Sequence, residues 1–151
     1  MSRRSGPASR PALRASLGPG LALIKPSLRE FEELLGESFA EPAAQAAAAL
    51  RLVREGTAAR VAVSLGADGA VLATAEGVVR IPALPVRVVG TVGAGDSFVA
   101  AMVLALSRGA LPRDALAWGA AAGTAAVMST GTARPKRAEM EALYAQAITL
   151  L

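Results

Sequence analysis

The segment Gly-Thr-Val-Gly-Ala-Gly-Asp-Ser, from Gly90 to Ser97, combines three glycines with one carboxylate just ahead of a strongly apolar run. A glycine-rich turn that enters a helix presents free backbone N–H groups and the positive end of the helix dipole, which together attract anions. The spacing matches the phosphate-binding loop G-x-x-x-x-G-K-[ST], except that Asp96 occupies the lysine position. The segment therefore predicts an anion site with a carboxylate at its edge.

Asp96 decides which chemistry fits this site. A carboxylate repels a phosphate group bound beside it, so Asp96 does not suit the role of phosphate ligand. Next to donors that neutralise phosphoryl charge, it can instead take the proton from an attacking hydroxyl group. The pattern thus indicates phosphoryl transfer from a nucleotide to an alcohol. The alternative is that Asp96 only caps its helix, as aspartate often does.

Composition argues against several other classes of protein. Histidine and cysteine are both absent, so proton chemistry falls to a carboxylate or a lysine, and the lack of cysteine suits a cytoplasmic protein. Four arginines before residue 20 account for the net charge of +4, and the other twelve basic residues balance the twelve acids. We therefore expect no basic face for nucleic acid. The glycine order G-x-x-G-x-G also argues against a dinucleotide-binding domain.

Strands and helices alternate along the chain, which predicts an α/β fold with a mostly parallel sheet and some antiparallel strands. The helix after Asp96 is apolar on every side, so we expect it to be buried. Strands are predicted at 21–24, 61–65, 70–74, 78–81 and 86–89, and helices after a capping box at Ser27, from Pro42, after Gly93, from Pro112 and from Arg137.

Two further features concern the ends and the apolar stretches. Residues 1–20 are basic and rich in Ser, Pro and Gly, and we expect them to be poorly ordered, with the folded unit at 21–151. The most apolar stretch, 98–106, is nine residues long, whereas a membrane-spanning helix needs about 20. We expect neither a membrane nor a nucleic acid as partner.

Four ordered segments resemble motifs of the ribokinase-like (PfkB-type) carbohydrate kinases. Residues 91–102 are similar to the family's C-terminal signature, and 23–30 to its Lys-Pro-Asn-x-x-Glu segment. Residues 63–70 resemble its nucleotide-binding strand and turn, and 119–132 the helix and loop beside the adenine. The residues of these motifs are most similar to those of the hexose-phosphate branch, which includes the minor 6-phosphofructokinase. The resemblance implies the C-terminal part of a three-layer α/β/α fold, without the N-terminal half and its lid.

The same resemblance implies a role for individual residues. Asp96 would be the catalytic base of an ATP-dependent kinase acting on a sugar or a sugar phosphate similar to fructose 6-phosphate. Glu30 would help to organise Mg²⁺ through water. The anion hole would consist of the N–H groups of Gly93, Ala94 and Gly95, and the nucleotide would contact Lys25, Ser64, Gly66, Gly69 and Ser129.

Alternatives remain open for several of these residues. Glu30 is also the third helical residue of a capping box, and Gly66 and Gly69 could be ordinary turn glycines. Ser27 stands where the family usually has Asn, and Gly90 where many members have Asp. An inactive remnant that keeps only nucleotide binding or subunit pairing is therefore the second hypothesis. A homo-oligomer or a separately encoded N-terminal half is the expected protein partner.

Overall fold

The computed structural model describes residues 14–15, 22–90, 93–128 and 136–151. Five strands form one sheet in the order β1-β2-β3-β4-β5. The strands are β1 (Arg14–Ala15), β2 (Leu23–Ile24), β3 (Arg60–Ser64), β4 (Ala70–Thr74) and β5 (Gly77–Ile81). The helices are α1 (Leu28–Leu35), α2 (Pro42–Arg54), α3 (Ala94–Ser107), α4 (Pro112–Val127) and α5 (Arg137–Thr149).

The sheet is mixed, and this corrects the expectation of a mostly parallel one. Among the described strands, β2 and β3 pair in parallel, whereas β1–β2, β3–β4 and β4–β5 are antiparallel. Parallel pairing needs a long crossover, which α1 and α2 provide between β2 and β3. Short turns join β3 to β4 and β4 to β5, and such turns reverse the chain.

Strand residues alternate between two separate apolar cores, which makes the fold three-layered. Ala62 and Leu72 face one core with α3, α4 and α5, whereas Val61, Val63 and Val71 face the other core with α1 and α2. Paired strands share this alternation, since Ala62 lies opposite Leu72 and Val63 lies opposite Val71. The α/β/α expectation is confirmed.

Helix starts follow the predicted residues closely. Ser27 caps α1 in a reciprocal capping box with Glu30, and left-handed Gly36 (φ 67°) ends that helix. Pro42 and Pro112 open α2 and α4 at the first helical position, where a missing N–H costs nothing. These signals are local, so they are legible in the sequence.

Two other expectations, on residues 86–89 and on α3, need correction. Residues 86–89, predicted as a strand, lie in an irregular segment whose backbone is tied to α4 by hydrogen bonds from Val89 N and Gly90 N to the Val127 carbonyl oxygen (2.6 and 3.1 Å). Helix α3 is not buried on every side, because Asp96, Ala100, Leu104 and Ser107 form one exposed face. Arg14–Ala15 forms β1, and the expectation that residues 1–20 are poorly ordered stays a prediction.

No helix in the described ranges is long and apolar enough to cross a membrane.

Candidate active site

The start of α3 carries the predicted anion site. Gly93 is the N-cap residue and adopts the left-handed conformation (φ 83°), which favours glycine. No side chain caps this helix in the described structure, and its first backbone bond runs from Ser97 N to the Gly93 carbonyl oxygen (2.9 Å). With no partner among the described residues, the N–H groups of Ala94 and Gly95 suit the predicted anion site.

Asp96 lies in the first turn of α3 as its third helical residue, and it is exposed. The cap position belongs to Gly93, and the Asp96 carboxylate makes no capping hydrogen bond in the described structure. An N-cap role for Asp96 is therefore absent from the described structure, although its charge still favours the helix dipole. The carboxylate is solvent-accessible beside the start of α3, which suits proton transfer from an incoming hydroxyl group, and its role as a base stays a prediction.

Lys25 lies where the ends of β2 and β3 meet the start of α3. It directly follows β2, and its Nζ lies 3.2 Å from the Oγ of Ser64, the last residue of β3. The Ser64 N–H donates to the Pro26 carbonyl oxygen (3.0 Å), which extends the parallel pairing to this edge. A Cβ built on Gly95 would lie only 3.3 Å from Lys25 Nζ, so the amine sits directly against the first turn of α3.

The environment of Lys25 is partly buried and partly acidic. Burial lowers the pKa of its ammonium from the usual 10.5, and the charges of Glu30 and Asp96 act in the opposite direction. These two carboxylates are thus near enough to attract the ammonium. Open α/β sheets bind ligands at the carboxyl ends of their parallel strands. The cluster at this edge consists of Lys25, Ser64, Gly95, Glu30 and Asp96.

Glu30 has a structural role that the sequence left open. Its Oε1 accepts from the Ser27 N–H (2.9 Å), while Ser27 Oγ accepts from the Glu30 N–H (3.2 Å), so the capping-box alternative is real. The described residues contain no group of three or more acidic side chains that could enclose a metal ion. In nucleotide sites Mg²⁺ is held largely by phosphates and water, so one carboxylate can be enough. Glu30 fits such a site, because only its Oε1 is used in the hydrogen bond to Ser27 N.

The two turn glycines after β3 differ from each other. Gly69 (φ 93°) sits so close to the end of β5 that a Cβ there would overlap the Ile81 carbonyl oxygen and the Pro82 backbone. This close approach explains Gly69 as a turn glycine without any ligand. Gly66 (φ 60°) has no neighbouring atom within 4 Å of a built Cβ and is exposed, so its surface is open to a ligand. A nucleotide contact at either glycine stays a prediction.

Sequence reasoning missed Phe98 as a neighbour of Lys25, and one predicted site residue, Ser129, lies outside the described residues. Lys25 Nζ lies 6.0 Å from the ring centroid of Phe98, which had been assigned only to an apolar helix. The pair Gly119 and Gly123, four residues apart on α4, was the available signal, because such spacing lets another element approach one helix face closely. Ser129 lies outside the described residues, so its predicted nucleotide contact is untested.

Residues 2–139 match the sequence profile described as pfkB family carbohydrate kinase. The chain belongs to this family. The resemblance inferred from the four motifs is thereby confirmed.

Relatives of this pfkB-family chain include two phosphofructokinases. It is 39% identical over 128 residues to the ATP-dependent 6-phosphofructokinase isozyme 2 of Mycobacterium tuberculosis, covering 85% of this chain and 38% of that protein. The isozyme 2 of Escherichia coli is 37% identical over 135 residues, with coverage of 89% and 44%. The solved E. coli phosphofructokinase-2 in complex with substrates and products superposes with a TM-score of 0.79 at 36% identity, over 83% of this chain and 41% of that one. The chain thus spans about two fifths of the length of these relatives.

Proposed function

We propose that this chain carries the nucleotide-binding and catalytic residues of an ATP-dependent kinase that phosphorylates a hydroxyl group of a sugar phosphate similar to fructose 6-phosphate. The observation that carries the proposal is Asp96, exposed in the first turn of a helix whose start has no side-chain cap. The names of its relatives support the substrate class.

In the proposed reaction, the acceptor hydroxyl gives its proton to the Asp96 carboxylate as its oxygen attacks the γ-phosphorus of ATP. The bond from the γ-phosphorus to the bridging oxygen breaks, and ADP leaves with that electron pair. Charge on the transferring group is stabilised by N–H groups of Gly93, Ala94 and Gly95, which are positioned before the reaction begins. The Asp96 carboxylate is the base because it faces solvent beside these donors.

Lys25 is proposed to neutralise the nucleotide phosphates, since its amine lies against the same helix turn. Mg²⁺ bound with ATP would supply further neutralisation of phosphate charge, and Glu30 would hold it through water. Ser64 keeps the Lys25 amine near this edge through their 3.2 Å hydrogen bond. Contacts of Gly66, Gly69 and Ser129 with the nucleotide are also part of the proposal, as is a cytoplasmic location suited to a cysteine-free chain.

Asp96→Asn tests the proposal, and Asp114→Asn is its matched control. Asp114 is the third residue of α4, as Asp96 is of α3, so both changes remove the same favourable charge at a helix start. We expect Asp96→Asn to bind ATP-Mg²⁺ within about threefold of the unchanged chain by calorimetry, yet to lose at least about 100-fold in transfer rate. Asp114→Asn should keep both. Equal rates in the two variants would contradict the proposed base.

A second candidate function is an inactive chain that retains nucleotide binding or subunit pairing. It is favoured by Ser27 in place of the usual Asn. A coupled kinase assay with fructose 6-phosphate, fructose 1-phosphate and unphosphorylated hexoses separates the two candidates. The assay is run on the chain alone and with the N-terminal half of a relative supplied. Turnover in either arm contradicts the inactive alternative, and calorimetry without ATP binding contradicts both nucleotide-based proposals.

A further inference from the structure

Phe98 occupies a constrained place between α3 and α4. Its side chain is 7% exposed, and its ring lies across two glycines that are one turn apart on α4. A Cβ built on Gly119 would lie 3.1 Å from Phe98 Cε1 and 3.2 Å from Cδ1, and one on Gly123 would lie 3.5 Å from Cδ2. The glycines therefore make the space that the ring fills, and the ring has little freedom to move.

The same ring lies beneath the Lys25 ammonium. Lys25 Nζ is 6.0 Å from the ring centroid, at the outer range of a cation–π contact. Lys25 Nζ also lies 3.2 Å from Ser64 Oγ and 3.3 Å from the point where a Cβ built on Gly95 would be. The amine thus lies between the end of β3 and α3, whose first turn and Phe98 ring both approach it.

A lysine in this place needs such confinement, because its four-carbon chain is flexible and its ammonium is a point charge. Glu30 and Asp96 both attract that charge. A direct ion pair with Asp96 would occupy the carboxylate that is proposed to accept the substrate proton. The ring and the Ser64 hydroxyl offer the ammonium a different position, against Gly95.

We propose that Phe98 is a positioning residue for Lys25: held against Gly119 and Gly123, its ring keeps the lysine amine over the first turn of α3. This inference rests on the proposed function in so far as Lys25 serves nucleotide phosphates. Phe98 touches neither ATP nor the acceptor in this scheme and acts through Lys25. A ring that merely filled the core would leave the position of Lys25 unaffected.

The first test follows the lysine itself and needs no nucleotide. The chain has two lysines, so labelling with ¹³Cε-lysine yields two NMR signals, and Lys136→Arg assigns them. Protons above an aromatic ring shift upfield, so we expect the Lys25 ε-protons upfield of those of exposed Lys136. In Phe98→Leu the Lys25 signal should move toward the Lys136 position. A Lys25 signal that Phe98→Leu leaves in place overturns the inference.

The second test is a double-mutant cycle on ATP-Mg²⁺ affinity, measured by calorimetry. We expect Phe98→Leu to raise the Kd about three- to tenfold when Lys25 is present, and to change it less than about twofold in the Lys25→Met background. An equal effect in both backgrounds overturns the inference, because Phe98 would then act independently of Lys25. If Phe98→Leu does not fold, Phe98→Met, whose flexible side chain fills similar space, replaces it in both tests.

The two tests separate this inference from the proposed function. A Phe98-dependent Lys25 signal in a chain that binds no ATP contradicts the proposed function and supports the placement of Lys25. ATP binding together with an unmoved Lys25 signal contradicts the role of Phe98 and leaves the proposed function intact.

Discussion

Gly119→Ala and Gly123→Ala form a matched pair that tests how closely α3 and α4 pack. Both glycines are buried on the same face of α4, one turn apart. A Cβ at Gly119 would lie 2.6 Å from Met102 Cγ, closer than real contacts allow, and 3.1 Å from Phe98 Cε1, which is tight. A Cβ at Gly123 would meet its nearest atom, the Ala94 carbonyl oxygen, at 3.4 Å, which is an ordinary contact.

The expected magnitude follows from two opposing effects. Replacing a helical glycine by alanine stabilises a helix by about 0.5–1 kcal/mol, and this gain is common to both variants. Only Gly119→Ala must also displace Met102, which is fully buried, at a cost of about 1–3 kcal/mol for overpacking. The helix term cancels between the variants, so we expect Gly119→Ala to be about 2 kcal/mol less stable than Gly123→Ala.

Thermal and urea unfolding followed by circular dichroism measure this difference. For a chain of this length, 2 kcal/mol corresponds to a Tm lower by about 4–8 °C. Gly123→Ala should equal or slightly exceed the stability of the unchanged chain. Equal stabilities of the two variants, or a larger loss for Gly123→Ala, would refute the close approach at Gly119.

Three further predictions concern the edges of the site. Ser27→Ala should lose about 1 kcal/mol of stability to urea because the capping hydrogen bond to Glu30 N disappears, whereas Ser27→Asn keeps a capping oxygen and should match the unchanged chain. Gly69→Ala should cost about 2–5 kcal/mol because it combines a positive φ with overlap at Ile81. Gly66→Ala should cost only about 1–2 kcal/mol, because no atom of the described residues lies within 4 Å of the added Cβ. Lys25→Met should change the pH dependence of stability. The folded chain holds the Lys25 proton less tightly than the unfolded chain, so Lys25 destabilises the fold below its folded pKa, and this penalty fades as pH rises toward 10.5. The stabilisation of Lys25→Met relative to the unchanged chain should therefore decline over that range in urea unfolding.

Each of these predictions has an outcome that would contradict it. A Ser27→Asn variant as unstable as Ser27→Ala would mean that the cap does not stabilise α1. Equal losses at Gly66 and Gly69 would contradict the close approach to β5. A stability difference between Lys25→Met and the unchanged chain that is constant up to pH 10.5 would show that burial does not perturb the lysine, and Lys136→Met is the control at an exposed site.

The sequence alone was sufficient for features that depend on neighbouring residues. The capping box at Ser27, the proline at the start of α4 and the glycine turn before Asp96 each act within a few residues, and all appear in the structure. The family motifs also depend on short stretches. Reasoning of this kind located Asp96 and the helix start that it shares with Gly93.

Local sequence patterns gave wrong predictions where strand pairing, or the burial of a helix face, depends on segments that are distant in the chain. Residues 86–89 have strand-like composition, but they form no strand, and the N–H groups of Val89 and Gly90 donate to the carbonyl oxygen of Val127 at the end of α4. The proportion of parallel strands was also misjudged, because strand direction depends on which strands become neighbours. Leu104 is apolar yet exposed on α3, since no described element covers that face of the helix.

The sequence by itself determined the chemical inventory: one glycine-rich helix start, a carboxylate in its first turn and a lysine after a strand. The tertiary structure alone decided that Lys25 lies over Phe98 and against Gly95, with Gly119 making room for the ring. These residues are far apart in the chain, and their contact results from three-layer packing of strand ends and helices. Local propensity carries no information about such contacts, because they depend on which faces the fold buries against each other.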